Sequence, residues 1–505
     1  MHPGGRAAVA AVVTGAVVTA LAVVAAVPSM FGAGADPVDP APALGFQPNI
    51  VLITTDDQTL AEMRWLPKTR RLLGKQGATF TNFVAPHPLC CPSRAQILTG
   101  QYAQNNGVRG NSGPYGGYPV FDPETALPVW LQRVGYRTAL VGKYLNLYKS
   151  SYGEETGWDR WNPTVRGLYQ YRHFTQFDEG TLTREVGYHT DYVADRSVRL
   201  IEDFSGGSAA DEKPFFLWSS FVAPHGMCLP GEDQGTCLVP PRAAPEYRRS
   251  FSGVRAPFLD SPSFNEADVS DKPRTVTKQG RVDPAVMQEL FTARIRALAS
   301  VDDAVADIVG ALRRSGELER TLIVFTSDNG YLFGEHRYTG KILGYEESVR
   351  VPLLMRGPGV PKGVGRDQTA AMIDLAPTFA ALAGAAPDVV VDGKSMLPWL
   401  QADRDQSGRT LLVQAGIKGL DLSSRGWWFR GVRTDRYTYI VWSATGFAEL
   451  YDRRRDPYQL NNLAGDARYA LIEAELYRRG LDLIVCSGDD CRADYPALGG
   501  PEPNA

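Results

Sequence analysis

Apolar runs and segments of helical spacing alternate along most of the chain. Residues 49–55 (NIVLITT) form an uninterrupted β-branched run, which is typical of a parallel strand buried on both faces. Residues 287–315 carry apolar side chains three or four positions apart, which predicts a long helix. The same patterns predict strands within 78–86, 136–143, 213–225, 321–330 and 351–359, and helices over 67–76, 127–134 and 370–384. This alternation predicts an α/β domain with a central, mostly parallel, mixed sheet flanked by helices.

The pattern changes near residue 400. Short segments within 409–457 predict antiparallel strands, and residues 469–484 predict a last helix. We therefore expect a large domain over 47–400 and a smaller C-terminal α+β domain with an antiparallel sheet over 401–505. Residues 228–285 are rich in Pro, Ser, Arg and Asp without a clear period, which predicts an irregular insertion.

The N-terminal segment has the features of an export signal. Arg6 precedes an uncharged apolar run over residues 7–27, and residues 33–35 (AGA) resemble a signal-peptidase site. The run is also just long enough to span a bilayer. We expect residues 1–35 to be a cleaved signal peptide or, alternatively, an uncleaved anchor, followed by a linker over 36–46. Both alternatives place the remainder of the chain outside the cytoplasm, and only the anchor involves a membrane.

Composition and charge are those of an ordinary globular protein. Of the 505 residues, 44% are hydrophobic and 22% are charged, and the net charge is −3 at pH 7. Because there is no global positive field, nucleic acid is not an expected partner. The longest basic run, residues 453–455, is expected to be a solvated loop.

The cysteine spacing agrees with export. Cys228 and Cys237 bracket one short loop and Cys486 and Cys491 bracket another, so each pair is close enough to form a disulfide. Neither pair has the CxxC spacing or the nearby histidines of a zinc site. The remaining two cysteines are adjacent in the chain and poorly placed to bond with each other, so they need another explanation.

Polar residues collect where the predicted strands end. These strand-end residues are Asp56, Asp57, Lys143, His225, Asp328 and Asn329. In open α/β sheets, ligands bind at this carboxyl edge. Carboxylate and amide oxygens favour calcium or magnesium over zinc. For each acidic motif taken alone, the alternative is a role in a turn or a cap. A further pair, Asp302-Asp303, is expected on a solvated helix face.

Residues 87–100 (HPLCCPSRAQILTG) contain the two adjacent cysteines. Pro92 suits the first turn of a helix, so Cys90 is expected just before a helix N-terminus, where backbone N–H groups favour an anion. Arg94 lies in the same turn and is long enough to reach an anion or the nucleophile. These features predict that Cys90 is a thiolate nucleophile with a lowered pKa. The alternative is a buried structural cysteine.

The same segment resembles the signature of a known family. Residues 90–94 (CCPSR), followed by residues 98–100 (LTG), are similar to the C-x-P-S-R…T-G motif of the sulfatases. Further sulfatase-like segments follow in the family's order: residues 135–145, the SDNG at 327–330, residues 340–352 and residues 449–464. The resemblance implies an alkaline-phosphatase-like fold, and the doubled cysteine, GKYLN and CSGDDC resemble the N-acetylglucosamine-6-sulfatase branch.

The resemblance implies a formylglycine mechanism. In the family, a separate formylglycine-generating enzyme oxidises the first cysteine of the motif, here Cys90, and the hydrated aldehyde attacks sulfur and displaces the alcohol. A divalent cation, usually calcium with magnesium as the alternative, is implied on Asp56, Asp57, Asp328, Asn329 and the converted Cys90. Arg94 would orient the hydrate. Lys143 and Lys341 would bind sulfate, and His225 would protonate the leaving alcohol or bind a sulfate oxygen.

Two positions depart from the family pattern. Leu145 and Leu332 stand where related sulfatases often have histidines, and Asn146, His336 and His87 are candidate substrate-binding residues. The predicted function is an exported sulfuric ester hydrolase acting on a sulfated sugar, such as N-acetylglucosamine-6-sulfate, or on an aryl sulfate. The alternatives are a phosphonate or phosphodiester hydrolase on the same scaffold, and a non-catalytic protein that binds sulfated glycans with Cys90 unmodified.

Overall fold

Two main sheets carry most of the strands in the computed structural model, which describes residues 45–206, 213–228, 237–401, 408–416 and 426–501. The strands are β1 (Asn49–Thr55), β2 (Ala78–Phe80), β3 (Phe83–Val84), β4 (Arg137–Gly142), β5 (Arg160–Arg166), β6 (Phe174–Asp178), β7 (Thr181–Glu185), β8 (Phe215–Ser220), β9 (Thr321–Ser327), β10 (Leu332–Phe333), β11 (Thr339–Gly340), β12 (Leu353–Arg356), β13 (Val364–Arg366), β14 (Ala370–Ala371), β15 (Leu411–Gly416), β16 (Trp427–Arg433), β17 (Tyr437–Trp442) and β18 (Ala448–Asp452).

The α-helices are short except for three that exceed twelve residues. They are α1 (Pro67–Thr69), α2 (Cys90–Thr99), α3 (Ala103–Asn106), α4 (Leu127–Arg133), α5 (His189–Ser205), α6 (Arg274–Thr277), α7 (Pro284–Arg314), α8 (Glu346–Val349), α9 (Leu375–Ala383), α10 (Leu397–Gln401), α11 (Ala470–Leu483) and α12 (Asp489–Arg492). A π-helical turn, Arg70–Gly74, continues α1.

The larger sheet has ten strands in the order β13-β2-β12-β9-β1-β8-β4-β5-β6-β7. The five central strands, from β9 to β5, are parallel, whereas β12, β6 and β7 pair in the antiparallel sense. Alternate residues of β1 enter two apolar clusters: Ile50 and Leu52 pack with residues of α2, α4 and α9, and Val51 and Ile53 pack with residues of α5 and α7. The predicted mixed α/β sheet with helices on both faces is confirmed.

The strand register brings four strand ends to one edge. Thr54 of β1 pairs with Ser220 of β8, and Thr55 pairs with Ser327 of β9. Gly142, the last residue of β4, also pairs with Ser220. Because these strands are parallel and end in register, the residues that follow them leave the sheet side by side.

Two regions differ from the sequence predictions. β5, β6 and β7 extend the sheet through residues 160–185, for which no strand was predicted; β7 is largely exposed and so lacks an apolar signal. α2 begins at Cys90 itself, with Leu89 as its N-cap, so Cys90 is the first residue of the helix and does not precede it.

The C-terminal part has the predicted antiparallel sheet. β15, β16, β17 and β18 pair in that order, and α11 packs against them in one apolar cluster. Arg433 of β16 pairs with both carboxylate oxygens of Glu346 in α8, at 2.7 and 2.9 Å. Arg453 lies 3.5 Å from the same carboxylate and is largely buried, whereas Arg454 and Arg455 are exposed. The prediction of a fully solvated basic loop is therefore wrong for Arg453.

Some predicted boundaries are not tested. Residues 1–35 and nearly all of the 36–46 linker lie outside the described residues, and the division at residue 400 stays a prediction. Where residues 228–285 are described, they contain α6 and short 3-10 turns at Pro245–Tyr247 and Pro257–Asp260. None of the helices described combines the length and the apolar character that crossing a membrane requires.

Both predicted disulfides form. Cys228 is bonded to Cys237, and Cys486 is bonded to Cys491. Cys90 and Cys91 are free, and both are buried.

Asp302 is buried, so its predicted place on a solvated face is wrong. It lies on α7 and accepts hydrogen bonds from the backbone N–H groups of Lys68 and Thr69 at 2.9 and 2.7 Å, and from the Thr69 hydroxyl at 2.8 Å. These groups belong to α1, whose first N–H groups have no partner inside the helix. Asp302 thus caps a neighbouring helix from outside it, which spacing along α7 cannot reveal.

We expect Asp302→Ala to lower the free energy of unfolding by about 2 kcal/mol, because the buried N–H of Thr69 and the partly buried N–H of Lys68 lose a charged acceptor. Urea denaturation measures the change. Asp307→Ala is the matched control, since Asp307 is an exposed aspartate on the same helix, and it should change stability by less than about 0.5 kcal/mol. Equal losses in the two variants would contradict the capping role.

Candidate active site

Backbone hydrogen bonds fix the site at the carboxyl edge of β1, β4, β8 and β9. The N–H of Asp56 donates to Ala223 O at 3.2 Å, and the N–H of Asp328 donates to Thr55 O at 3.1 Å. The N–H of Lys143 donates to Ser220 O at 2.9 Å. Each strand therefore remains bonded to its neighbour at the position where its polar residue leaves the sheet.

The first turn of α2 places Cys90 against these strand ends. Its Sγ lies 3.4 Å from Asp56 Oδ1 and 2.8 Å from the Nζ of Lys341. All ten residues of α2 are buried, so the helix enters the protein without a solvated face. The nucleophile predicted from the sequence thus lies between a carboxylate and an ammonium group.

Six buried charges surround Cys90, and they balance in number. Arg94 Nε donates to Asp328 Oδ2 at 2.8 Å, and both side chains are fully buried. The ammonium groups of Lys143 and Lys341 pair with carboxylates in the same way; the two pairs are Lys143–Asp56 and Lys341–Asp57. A buried charge without a partner is strongly destabilising, so the loss of any one of these partners should lower the stability of the fold.

The lysines keep the acids ionised. Burial is the largest single influence and alone would raise the pKa of the Asp56 and Asp57 carboxyls. The nearby cationic groups together, led by Lys143 at Asp56 and by Lys341 at Asp57, outweigh burial and hold both pKa values below their usual range. Burial likewise opposes the charge on Lys341, but the surrounding acidic groups, led by Asp57, together more than compensate, so the pKa of the Lys341 ammonium lies well above the usual value.

The environment of Cys90 contradicts the predicted low-pKa thiolate. Burial, followed by the nearby Asp56 carboxylate, raises the pKa of the Cys90 thiol to about 12, and the two lysines do not offset this. The helix N-terminus had suggested the opposite shift. The sequence could not show that the thiol is fully buried beside an anion, and those two effects prevail.

Oxygen atoms converge at the same place. The Nδ2 of Asn329 donates to Asp57 Oδ1 at 2.7 Å, and the N–H of Asp57 donates to Asp328 Oδ1 at 3.1 Å. Asp56, Asp57, Cys90 and His225 present ligand atoms within 4.8 Å of one another.

Three buried polar atoms at this site have no hydrogen-bond partner among the described residues: Asn329 Oδ1, Arg94 Nη2 and His225 Nε2. Buried polar atoms normally have partners. One orphaned oxygen beside carboxylates suits a hard cation, and one orphaned guanidinium nitrogen suits an anion. The residues present therefore fit a divalent cation together with an anionic substrate.

His225 faces the cluster with one ring nitrogen. Its Nδ1 lies 2.7 Å from Gly226 O and donates to that carbonyl, while Nε2 lies 3.5 Å from Asp57 Oδ2. Burial lowers the pKa of the His225 imidazole. Because Nδ1 is engaged by Gly226 O, Nε2 is the ring nitrogen that is available to the site.

Several residues around the site were missed in the sequence. Tyr169 lies against His225, with ring centroids 4.5 Å apart. Arg294 donates to Asp57 O at 2.6 Å while its guanidinium pairs with Glu62 at 2.8 Å. Ser220 Oγ accepts from Arg94 Nη1 at 2.7 Å. Only Ser220 follows from a strand-end position; the others come from segments without a motif.

The candidate substrate-binding residues have other described contacts. His336 Nδ1 lies 2.6 Å from Glu266 Oε2, and its ring stacks on Tyr345 with centroids 4.1 Å apart. His87 Nε2 accepts from the N–H of Gly416 at 3.3 Å. Asn146 is buried, and its backbone carbonyl accepts a hydrogen bond from the N–H of Tyr118 at 2.8 Å. Their roles with substrate stay predictions. The two departures, Leu145 and Leu332, are both buried in apolar clusters.

Comparison with known proteins gives a consistent match. The family model described as Sulfatase matches residues 48–385, and the model for the C-terminal region of N-sulphoglucosamine sulphohydrolase matches residues 334–484. An arylsulfatase of Volvox carteri is 31% identical over 504 residues, which is 90% of this chain and 77% of that protein. An N-acetylglucosamine-6-sulfatase of Capra hircus is 31% identical over 491 residues, which is 88% of this chain and 85% of that protein.

A solved structure shares the fold. A protein in complex with its substrate D-glucosamine-2-N,6-O-disulfate superposes with a TM-score of 0.68, covering 88% of this chain and 98% of that one, at 23% sequence identity. At this level of identity, the likeness supports the architecture alone.

We expect the unmodified thiols at residues 90 and 91 to resist alkylation in the native protein. Burial raises the pKa of both to about 12, so at pH 8 only about one molecule in ten thousand carries a given thiolate. Mass spectrometry after iodoacetamide treatment measures labelling in protein produced without the maturation enzyme. The denatured chain, in which both thiols should react, is the control. Selective labelling of native Cys90 would show that its pKa is low after all.

Proposed function

This chain belongs to the sulfatase family, a family of sulfuric ester hydrolases, and we propose that it cleaves sulfate from a sulfated sugar, with N-acetylglucosamine-6-sulfate as the first candidate. One observation carries the proposal. The Cys90 side chain lies inside a buried cluster that combines cations for an anionic sulfate with oxygen ligands for a metal ion. Neither the motif nor the fold alone supplies this combination.

Three cationic side chains would bind the sulfate group. Lys341 lies beside Cys90. Lys143 pairs with Asp56, the carboxylate that also contacts Cys90. Arg94 has one buried nitrogen without a hydrogen-bond partner among the described residues. Each of these cationic side chains is paired with a buried carboxylate, so its hydrogen-bond donors are in position before substrate binds. When its Nε2 carries a proton, His225 would donate it to the leaving alcohol or hydrogen-bond a sulfate oxygen, because Nε2 is the nitrogen that faces the cluster.

Asp56, Asp57, Asp328 and Asn329 would hold a divalent cation. The all-oxygen donor set and the orphaned Asn329 Oδ1 favour calcium, with magnesium as the alternative. When bound, such an ion would neutralise charge on the sulfate oxygens and acidify the nucleophilic hydroxyl. The three carboxylates already balance three cations, so a divalent ion would leave the site net positive and suited to a sulfate anion.

Cys90 would be the residue that a formylglycine-generating enzyme converts. Formylglycine supplies a nucleophilic oxygen, which a buried thiol with a raised pKa does not provide. Arg94 would orient this group, because its guanidinium is fixed by Asp328, Ser220 and the Lys143 carbonyl.

We place the enzyme outside the cytoplasm. The apolar N-terminal run and its AGA site resemble an export signal. Two disulfides close short loops, which suits an oxidising compartment.

A substrate panel tests the function. The matured enzyme should hydrolyse N-acetylglucosamine-6-sulfate faster, by kcat/KM, than a simple aryl sulfate, and both faster than an aryl phosphodiester or a phosphonate monoester. A higher kcat/KM for the aryl sulfate would reject the sugar sulfate as the substrate but would leave the sulfatase assignment in place. Preferential hydrolysis of the phosphorus esters would reject the sulfatase assignment for this chain.

Replacing Cys90 by Ala should abolish turnover and leave the melting temperature nearly unchanged. Cys91→Ala should keep most activity, because the Cys91 side chain packs in an apolar cluster and its N–H donates to Asn111, neither of which is part of the charged cluster. Activity is compared after mass spectrometry has measured conversion at residue 90. An inactive Cys91→Ala variant that is fully converted at residue 90 would reverse the assignment of the two cysteines.

Calcium should raise the melting temperature by a few degrees, and a chelator should reverse the change, because a ligand that binds only the folded state stabilises it. Asn329→Ala should weaken calcium binding at least about tenfold. Asn49→Ala is the matched control, since Asn49 is a buried asparagine at the opposite end of β1; it should lower stability but keep the full calcium response. An unchanged calcium affinity in Asn329→Ala would remove Asn329 from the metal site.

A further inference from the structure

Tyr169 contacts two of the proposed substrate-binding residues at once. It lies in a 3-10 turn, Leu168–Gln170, between β5 and β6. Its ring centroid is 4.5 Å from that of His225, with 37° between the planes, and the ammonium of Lys143 lies over the ring at 5.4 Å from its centroid. Tyr169 is the single aromatic residue found in ring or cation contact with either side chain in the described part of the chain.

The contact with Lys143 restrains a flexible cation. A lysine side chain is a flexible chain of four carbons that ends in a compact ammonium charge, so it needs contacts with its surroundings to hold it in one position. In this site the ammonium has a carboxylate, Asp56, as one partner and the face of Tyr169 as the other. An ammonium within about 6 Å of a ring centroid is attracted by the ring, and more strongly where water is excluded.

The second contact is that of the Tyr169 ring with the imidazole of His225, and it adds to the restraint that hydrogen bonds place on this histidine. Nδ1 is fixed by Gly226 O, and the backbone carbonyl of His225 accepts from the hydroxyl of Tyr171 at 2.7 Å. Tyr171 belongs to the same turn as Tyr169 and adopts a left-handed backbone conformation, with φ of 61°. A non-glycine residue holds that conformation only where its surroundings fix it. One turn therefore contacts both the ring and the backbone of His225.

We propose that Tyr169 is a positioning residue that holds Lys143 and His225 in place to bind the sulfate group. This inference rests on the proposed function, and it concerns the sulfate that every substrate would share, not the alcohol to which the sulfate is attached. We assign this positioning role to the aromatic ring of Tyr169 and not to its hydroxyl. The hydroxyl of Tyr169 makes no hydrogen bond among the described contacts, so a phenylalanine ring should serve equally well.

The test compares three variants of the full-length, matured, calcium-loaded enzyme. Tyr169→Leu should lower kcat/KM about tenfold, and by a similar factor for a sugar sulfate and an aryl sulfate, because both present the same sulfate. Its affinity for inorganic sulfate, measured by calorimetry, should fall by a similar factor. Tyr169→Phe should stay within about twofold of the wild type in both measurements.

Tyr192→Leu is the matched control. Tyr192 is a half-buried tyrosine of the same apolar cluster, but its ring packs on Phe174 at 5.5 Å. It should lose stability as Tyr169→Leu does, with sulfate affinity unchanged. Melting temperatures and the extent of conversion at residue 90 are measured for all variants, so that misfolding or poor maturation is separated from a change at the site.

Three results would overturn the positioning role. They are a loss in Tyr169→Phe as large as in Tyr169→Leu, an unchanged sulfate affinity in Tyr169→Leu, and a loss that depends on the alcohol. Failure of the proposed function gives a different pattern: the wild type would hydrolyse no sulfate ester, yet Tyr169→Leu would still bind inorganic sulfate more weakly. A wild-type protein that does not bind sulfate would reject both.

Discussion

The paired burial of six charges at one sheet edge is the constraint on which the site depends. Removing a carboxylate or an ammonium from water costs several kcal/mol, and only close partners of opposite charge repay it. Arg94, Lys143 and Lys341 each meet one aspartate. The protein therefore folds around a charged cluster that is neutral as a whole but contains strong local fields. Such fields bind an anion without reorganising.

The parallel sheet explains how those charges are brought together. β1, β8 and β9 are buried along their full length, so they supply stability and leave their polar ends free for another role. A second buried ion pair, Arg294–Glu62, then holds the first set of charges in position. Arg294 bonds the carbonyl of Asp57 while it pairs with the buried Glu62. Because each group is held by a neighbour that is itself paired, the loss of one partner disturbs more than one contact.

The sequence predicts the parts of the site that lie at strand ends or within a motif. Asp56 and Asp328 follow continuous apolar strands, and Cys90 and Arg94 lie in the sulfatase-like segment, so their places could be inferred. Tyr169 could not, because it belongs to a short turn between β5 and β6, two strands that the sequence pattern does not predict. The burial of Asp302 was missed for a related reason. Its partner, Thr69, lies in a distant segment of the chain, and the spacing of residues along α7 carries no information about which other segments pack against that helix.

The two adjacent cysteines show how one helical turn separates two environments. Cys90 Sγ is in contact with Asp56 and Lys341, so its chemistry is governed by charge. Cys91 packs in the apolar cluster beneath the sheet, and its N–H is bonded to Asn111. Burial suppresses ionisation of both thiols, so thiolate reactivity cannot be what distinguishes them. The difference lies in the surroundings of the two positions: of the two, only residue 90 lies beside both the carboxylate proposed to bind the metal ion and a cation proposed to bind sulfate.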